Sequence, residues 1–352
     1  MRLGMVVAAF AAVTLLTPVA QAAGHQTCTI AWSHYTGWEP IDYMKSSGIL
    51  KKWGDKYGVD FDITPPMDYV ESMNQYTAKQ FCAVAVTNMD ALTIPAASGV
   101  DSTFVVIGDY SDGNDGILIK SGKPASLKDL VGKQAALVEN TVSHYLLLRA
   151  LEMSGVPQDQ VKTVNTSDAD IGNVFATGGD QTIVVTWNPI LMTARNVKGA
   201  QLLFDSSKIP GEIIDGLVVH TDTPDNVKKA LVGAWYETAQ VMAESGTPAN
   251  REAIRVMAQS AGGSEGEFLA QLKTTHMFYR PADAVAFAGN SQLKATMNSV
   301  RKFAFDLKLL GDAESPDHIG IQFPDGEVSG NQKNVKLRFD TSFIKMAADG
   351  KL

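Results

Sequence analysis

Short apolar runs alternating with amphipathic helical stretches constrain this chain most, because that alternation builds mainly parallel sheets covered by helices on both faces. In the first part of the chain, Thr27–Trp32, Val59–Ile63, Phe81–Val86 and Thr103–Ile107 read as strands. Pro40–Tyr57, Met67–Gln80 and Met89–Ala97 read as helical between them. A polar, glycine-rich passage, Gly108-Asp109-Tyr110-Ser111-Asp112-Gly113-Asn114-Asp115-Gly116, then breaks the pattern. Beyond it the alternation resumes, with strands at Gln134–Val138, Val161–Val164, Thr182–Thr186 and Ala200–Phe204 and helices at Val142–Ser154 and Ala169–Ala176. A second polar passage, Pro210–Gly216, leads to the strand Leu217–His220, after which the helices Val227–Glu244, Arg251–Ser260, Glu265–Leu272 and Leu293–Leu310 dominate.

Two βα blocks joined by two crossings predict a chain that leaves one lobe and returns to it. The expected fold is α/β, with residues 24–110 and 216–352 in lobe 1 and residues 111–215 in lobe 2. A ligand cleft would lie between them, lined by strand ends and helix starts. Hinge closure needs backbone changes at only a few loop residues.

The N-terminus predicts export. Arg2 gives a positive start, Val6–Leu16 is apolar without a charge, and Ala20-Gln21-Ala22 offers small residues at cleavage spacing. Residues 1–23 therefore read as a signal peptide, leaving roughly 330 residues, enough for about two domains. The expected location is the periplasm. Net charge is −8, which argues against nucleic acid and anionic membranes as partners. In an oxidising compartment Cys28 and Cys82, each opening a strand-like run, could form a disulfide if those strands are neighbours; two buried thiols are the alternative.

The candidate ligand residues sit where strands end. Trp38 and Glu39 follow the first strand, the indole offering a face to a planar or cationic group and the carboxylate accepting N–H donors. Asn88 and Asp90 follow the third strand; the competing role for both is helix capping. Glu139 and His144 flank a helix start in the second block. An anion bound at that helix start would be repelled by Glu139, so the position suits a donor-rich ligand. Trp187 ends an apolar strand. Glu212 and Asp215 lie in the return crossing, and Asp109, Asp112 and Asp115 in the outward one, with no lysine or arginine inside either passage. The expected ligand-binding set is Trp38, Glu39, Asn88, Asp90, Asp115, Glu139, His144, Trp187, Glu212 and Asp215. Each hinge aspartate taken alone reads equally as turn chemistry.

Other chemistries fit poorly. Asp112–Asp115 lacks calcium-loop spacing, no Cys or His set has zinc spacing, and the common hydrolase, redox and phosphate-loop motifs are absent. His34 and His144 have no recognisable nucleophile beside them. The expectation is a binding protein without catalysis, metal or cofactor.

Taken together, Gly37-Trp38, Thr87-Asn88-Met89-Asp90, Ser143-His144-Tyr145, Thr166-Ser167-Asp168-Ala169-Asp170, Thr186-Trp187-Asn188-Pro189 and Pro210–Asp215 resemble one family. So do the C-terminal Asn334–Phe339 and Asp349–Leu352. It is the substrate-binding component of nitrate/taurine-type ABC transporters, in the branch associated with urea carboxylase. The resemblance implies a type II periplasmic-binding fold and a monomer that hands its ligand to a membrane permease driven by a cytoplasmic ATPase. It points to urea or guanidinium; the acidic, tryptophan-bearing positions suit guanidinium better, since that ion presents only donors in one plane. The alternatives are another small ligand on the same fold (taurine or a sulfonate, nitrate, a thiamine pyrimidine precursor), a sensor handing ligand to a receptor, or an enzyme resembling the pyrimidine-precursor synthases, whose cysteine-rich motif is missing here.

Overall fold

The computed structural model describes residues 26–177, 179 and 181–352. The signal-peptide expectation for residues 1–23 lies outside the described residues.

The strands run β1 (Gln26–Ala31), β2 (Val59–Ile63), β3 (Ala83–Thr87), β4 (Ser102–Ser111), β5 (Asp115–Lys120), β6 (Gln134–Leu137) and β7 (Lys162–Asn165). They continue with β8 (Ile183–Trp187), β9 (Ala200–Asp205), β10 (Ile214–His220), β11 (Thr275–Met277), β12 (Gly320–Gln322), β13 (Val328–Ser329) and β14 (Val335–Phe339). They form two sheets. Nine strands make the first, in the order β13-β12-β14-β4-β10-β3-β1-β2 with β11 against β4; five make the second, in the order β7-β6-β8-β5-β9.

The two sheets share one design. In the first, β1 runs parallel to β2 and β3, and β10 inserts antiparallel between β3 and β4. In the second, β6 runs parallel to β7 and β8, and β5 inserts antiparallel between β8 and β9. The two antiparallel strands are the ones next to the crossings, so every passage between the sheets is tied into a sheet at once. This is a two-lobe α/β architecture with a two-segment hinge, the type II periplasmic-binding fold.

Burial explains the strand composition. All five residues of β3 and all five of β8 are buried, as expected for strands with helices on both faces. The largest cluster of buried side chains spans both sheets. Cys28 and Cys82 are bonded, with Cα atoms 5.3 Å apart, because parallel pairing of β1 with β3 brings the start of one strand beside the approach to the other. Closing the loop across their sequence separation of 54 contributes about 2–4 kcal/mol.

Two sequence expectations change. Pro40–Tyr57 is two helices, Pro40–Ser46 and Ile49–Tyr57, because Gly48 takes a left-handed φ of 79° between them. The glycine-rich passage 108–116 is mostly strand: β4 continues through Ser111 and β5 starts at Asp115, leaving only residues 112–114 between. Asp109 and Asp115 are buried ladder residues, which polarity alone disguises as loop.

Candidate functional site

The cleft between the sheets narrows to a small cavity, about 10 Å³ as swept by a water molecule's centre, lined by Tyr35, Trp38, Tyr69, Thr87, Asp115, Val142, Trp187, Ile213 and Asp215. Four of these form an aromatic box. Trp38 lies 5.0 Å from Tyr35 and 5.4 Å from Tyr69 between ring centroids, and Tyr69 lies 5.6 Å from Trp187. Each is at most 3% exposed. Three come from the first lobe. Trp187, at the end of β8, comes from the second, and its Nε1–H donates to the His34 carbonyl across the cleft at 3.0 Å.

Four buried aspartates surround this box. Asp90 follows β3; its Oδ2 accepts from the Tyr69 hydroxyl (2.7 Å), the Thr87 hydroxyl (2.9 Å) and, across the cleft, the Val142 N–H (3.3 Å). Burial pushes its pKa up to about 6 against those hydrogen bonds. Asp109 on β4 accepts from the Tyr35 hydroxyl at 2.8 Å, and burial pushes it up to about 7. Asp115 opens β5, accepts from Ser111 at 2.6 Å and is also pushed by burial to about 7. Asp215 on β10 makes no hydrogen bond on either carboxylate oxygen among the described residues, though the Tyr35 hydroxyl lies near enough to lower its pKa; burial, followed by the nearby Asp109 and Asp115, raises it well above the usual carboxylate range. One oxygen of Asp90, one of Asp109 and the Trp38 indole N–H are likewise unpartnered. Among the described residues, no lysine, arginine or histidine lines the cavity.

Gly37 has a specific part. A Cβ on it would lie 2.3 Å from Asp109 Oδ2, so only glycine lets the loop after β1 close against that carboxylate.

The expected ligand residues divide sharply. Trp38, Asp115, Trp187 and Asp215 line the cavity, and Asp90 stands directly behind Tyr69 and Thr87. Glu39 is fully buried nearby and pairs with His34 Nδ1 at 2.8 Å. Asn88 braces the hinge instead, donating to the Glu212 carbonyl (3.1 Å) and accepting from the Ile214 N–H (3.0 Å). Glu139 does not line the cavity: its carboxylate takes the Thr163 hydroxyl. His144 accepts from the Asn140 N–H at 3.2 Å and sets its ring edge-on to Phe303.

Glu212 is already paired. Arg149 grips it with two N–H donors at 2.8 and 2.9 Å, and Tyr145 donates at 2.6 Å. The acidic passages were expected to be short of cations; this one is not, because the helix Val142–Ser154 brings in an arginine distant in sequence. A larger groove of about 300 Å³ runs beside this pair, lined by Tyr145, Arg149, Lys302 and Phe303 among others. Its charges are matched within it, Lys302 with Asp306 and Arg149 with Glu152 and Glu212.

Tyr35, Tyr69 and Asp109 were missing from the expected set. Tyr35 shares its loop with Trp38, and Asp109 was visible only as one acidic residue of a crossing. Tyr69 had no signal beyond starting a helix.

The fold recurs in solved structures. The periplasmic aliphatic sulphonate binding protein SsuA from Escherichia coli is 16% identical, with a TM-score of 0.66 over 82% of this chain and 94% of its own. The alkanesulfonate-binding protein SsuA from Xanthomonas axonopodis pv. citri, bound to MOPS, is 17% identical, with a TM-score of 0.67 over 83% of this chain and 96% of its own. The Candida albicans CA3427 gene product, described as having the generic periplasmic binding protein fold, is 12% identical, with a TM-score of 0.61 over 82% and 91%. Among curated proteins there is no sequence match. The family model described as "NMT1/THI5 like" matches residues 50–235, more than half of the 352 residues, and the chain belongs to that family.

Proposed function

We propose that this protein is the periplasmic substrate-binding component of an ABC importer, working as a monomer and capturing a small nitrogen-rich cation, guanidinium ahead of urea. It would deliver that ligand to a membrane permease driven by a cytoplasmic ATPase. The observation that carries the reading is Asp215: a buried carboxylate lining an aromatic cavity, with neither oxygen hydrogen-bonded and no basic residue in the lining among the described residues. An isolated buried carboxylate is costly, and a cation with several N–H donors removes that cost.

In this reading the two lobes are residues 24–110 with 216–352 and residues 111–215. The open cleft admits the ligand, Trp38 and Trp187 cover its faces, and Asp215 accepts its N–H groups, with Asp115 and Asp90 completing the negative field. Closure joins Trp187 to His34 and the Val142 N–H to Asp90, and excludes water, which strengthens the charge-assisted bonds. The cavity favours a ligand of few heavy atoms. The sulfonates named for the SsuA proteins are anions, which this lining of carboxylates and aromatic rings would repel.

The test is titration calorimetry with guanidinium, urea, taurine and nitrate. Guanidinium should bind and taurine and nitrate should not. Saturable binding of taurine or nitrate, with none of guanidinium, would overturn the reading.

A further inference from the structure

Asp109 and Asp215 are direct cross-strand partners in the antiparallel pairing of β4 with β10. Opposed residues of such a pair project to the same face, and like charges directly opposite each other destabilise a sheet. Both side chains are at most 1% exposed. The pairing lies within one sheet, so opening or closing the cleft leaves the two carboxyls side by side.

Among the described residues, the surroundings supply no counter-charge. The loop after β1 presents the Tyr35 hydroxyl, which donates to Asp109. The end of β3 presents Thr87 and Asp90, and β5 presents Asp115. Tyr279 is close enough to feel the Asp109 charge. On β11, His276 stacks on Tyr110 at 4.4 Å between centroids. The nearest matched acid in the return crossing, Glu212, already holds Arg149. The Tyr35 hydroxyl therefore donates to Asp109 and lies near Asp215 without a hydrogen bond to it, so the two carboxyls have one hydroxyl donor between them.

We infer that Asp109 and Asp215 form a carboxyl pair that holds one proton between them without ligand and gives it up to solvent when the ligand cation settles against Asp215. This rests on the cation-binding reading above. The exchange balances: a singly protonated pair of net charge −1 takes a monocation and releases one proton, leaving two carboxylates and the bound cation. Two adjacent buried carboxyls cannot both ionise cheaply until a cation joins them. Asp215 is the ligand partner; Asp109, one layer behind it against Gly37, acts through Asp215 as a positioning residue. A neutral ligand such as urea cannot drive the exchange, so the pair also sets preference by charge.

The ligand-free state binds the extra proton, so affinity rises with pH while the pair is protonated and levels off once it is ionised. The experiment is calorimetry of the exported chain with guanidinium chloride between about pH 5.5 and 8.5, repeated in buffers of different ionisation enthalpy. The expected result is release of about one proton per ligand near neutral pH, rising toward two at the acid end where both carboxyls are protonated, and a dissociation constant that falls about tenfold per pH unit near neutral pH. Asp109→Asn, which cannot share an acidic proton, should flatten that slope. Guanidinium binding by the parent protein with the same observed enthalpy in every buffer and no pH slope would overturn the inference and leave the cation-binding reading intact. A full slope retained in Asp109→Asn would overturn the assignment of the pair. Failure of guanidinium to bind at any pH would overturn both. Since the buffer comparison uses the parent protein, the inference remains testable should the variant not fold.

Discussion

Glu212 and Asp215 lie three residues apart in the same return crossing, and the structure gives them opposite situations. Glu212 is held by Arg149 and Tyr145 at the rim of the cleft, where its charge is matched. Asp215 sits at the cavity floor with nothing bonded to either oxygen. The difference teaches that an acidic residue marks a ligand site only where the fold withholds its counter-ion. The matched pair contributes to the fold; the unmatched carboxyl burdens the fold and is retained where binding offsets the burden.

Replacement at the two positions should separate these roles most strongly. Asp215→Asn should weaken guanidinium binding by more than about 100-fold, as expected for a charge-assisted contact in a dry site. The same variant should melt no lower than the parent without ligand, because Asp215 makes no hydrogen bond that the amide would break. Calorimetry and a thermal melt read the two outcomes. Loss of stability together with unaltered binding would make Asp215 structural.

Gly37→Ala comes next. Its Cβ would meet Asp109 Oδ2 at 2.3 Å, forcing the loop away from the carboxylate. Overpacking of this kind costs about 1–3 kcal/mol, and guanidinium affinity should fall with it. An alanine variant equal to the parent in both melt and affinity would show that the loop yields freely.

The ligand-free melt should also depend on pH. Asp90, Asp109 and Asp115 have folded-state pKa values raised to about 6, 7 and 7 by burial. The folded chain then binds more protons than the unfolded chain from about pH 4 upward. Stability should therefore be highest below the unfolded carboxyl range and fall as pH rises through 6 and 7, and saturating guanidinium should reduce that fall. A melting temperature that rises steadily from pH 5 to about 8 would contradict it.

Glu212→Gln should give the smallest effect, a stability loss of about 1 kcal/mol because the Arg149 pair is partly solvated. Guanidinium affinity should change far less than in Asp215→Asn. A comparable loss of affinity in both variants would erase the distinction between rim and floor.

Much of the fold was legible in the chain. Apolar runs such as Ala83–Val86 and Ile183–Val185 predict buried strands, and the helices between them show their periodicity. The passage 108–116 was misread because Asp109, Ser111 and Asp115 are polar, and polarity signals solvent unless a buried partner is known. At the site, Trp38 and Trp187 were visible as aromatic residues emerging from strand ends. Tyr69 was not, since its role depends on a hydroxyl reaching Asp90, a contact spanning 21 positions in the chain. Glu139 carried a plausible local signal, a carboxylate at a helix start, but Thr163 occupies it from the neighbouring strand.

Hydrophobic periodicity and glycine placement are local properties, so the sequence by itself determined the α/β alternation, the two crossings and the acidic character of the hinge. Which acids would stay unmatched was decided only in three dimensions. Strand pairing set Asp109 opposite Asp215, and the helix Val142–Ser154 carried Arg149 to Glu212 instead. Charge interactions fall with distance in space, not along the chain, and a residue's counter-ion becomes known only when the sheets and helices have been packed.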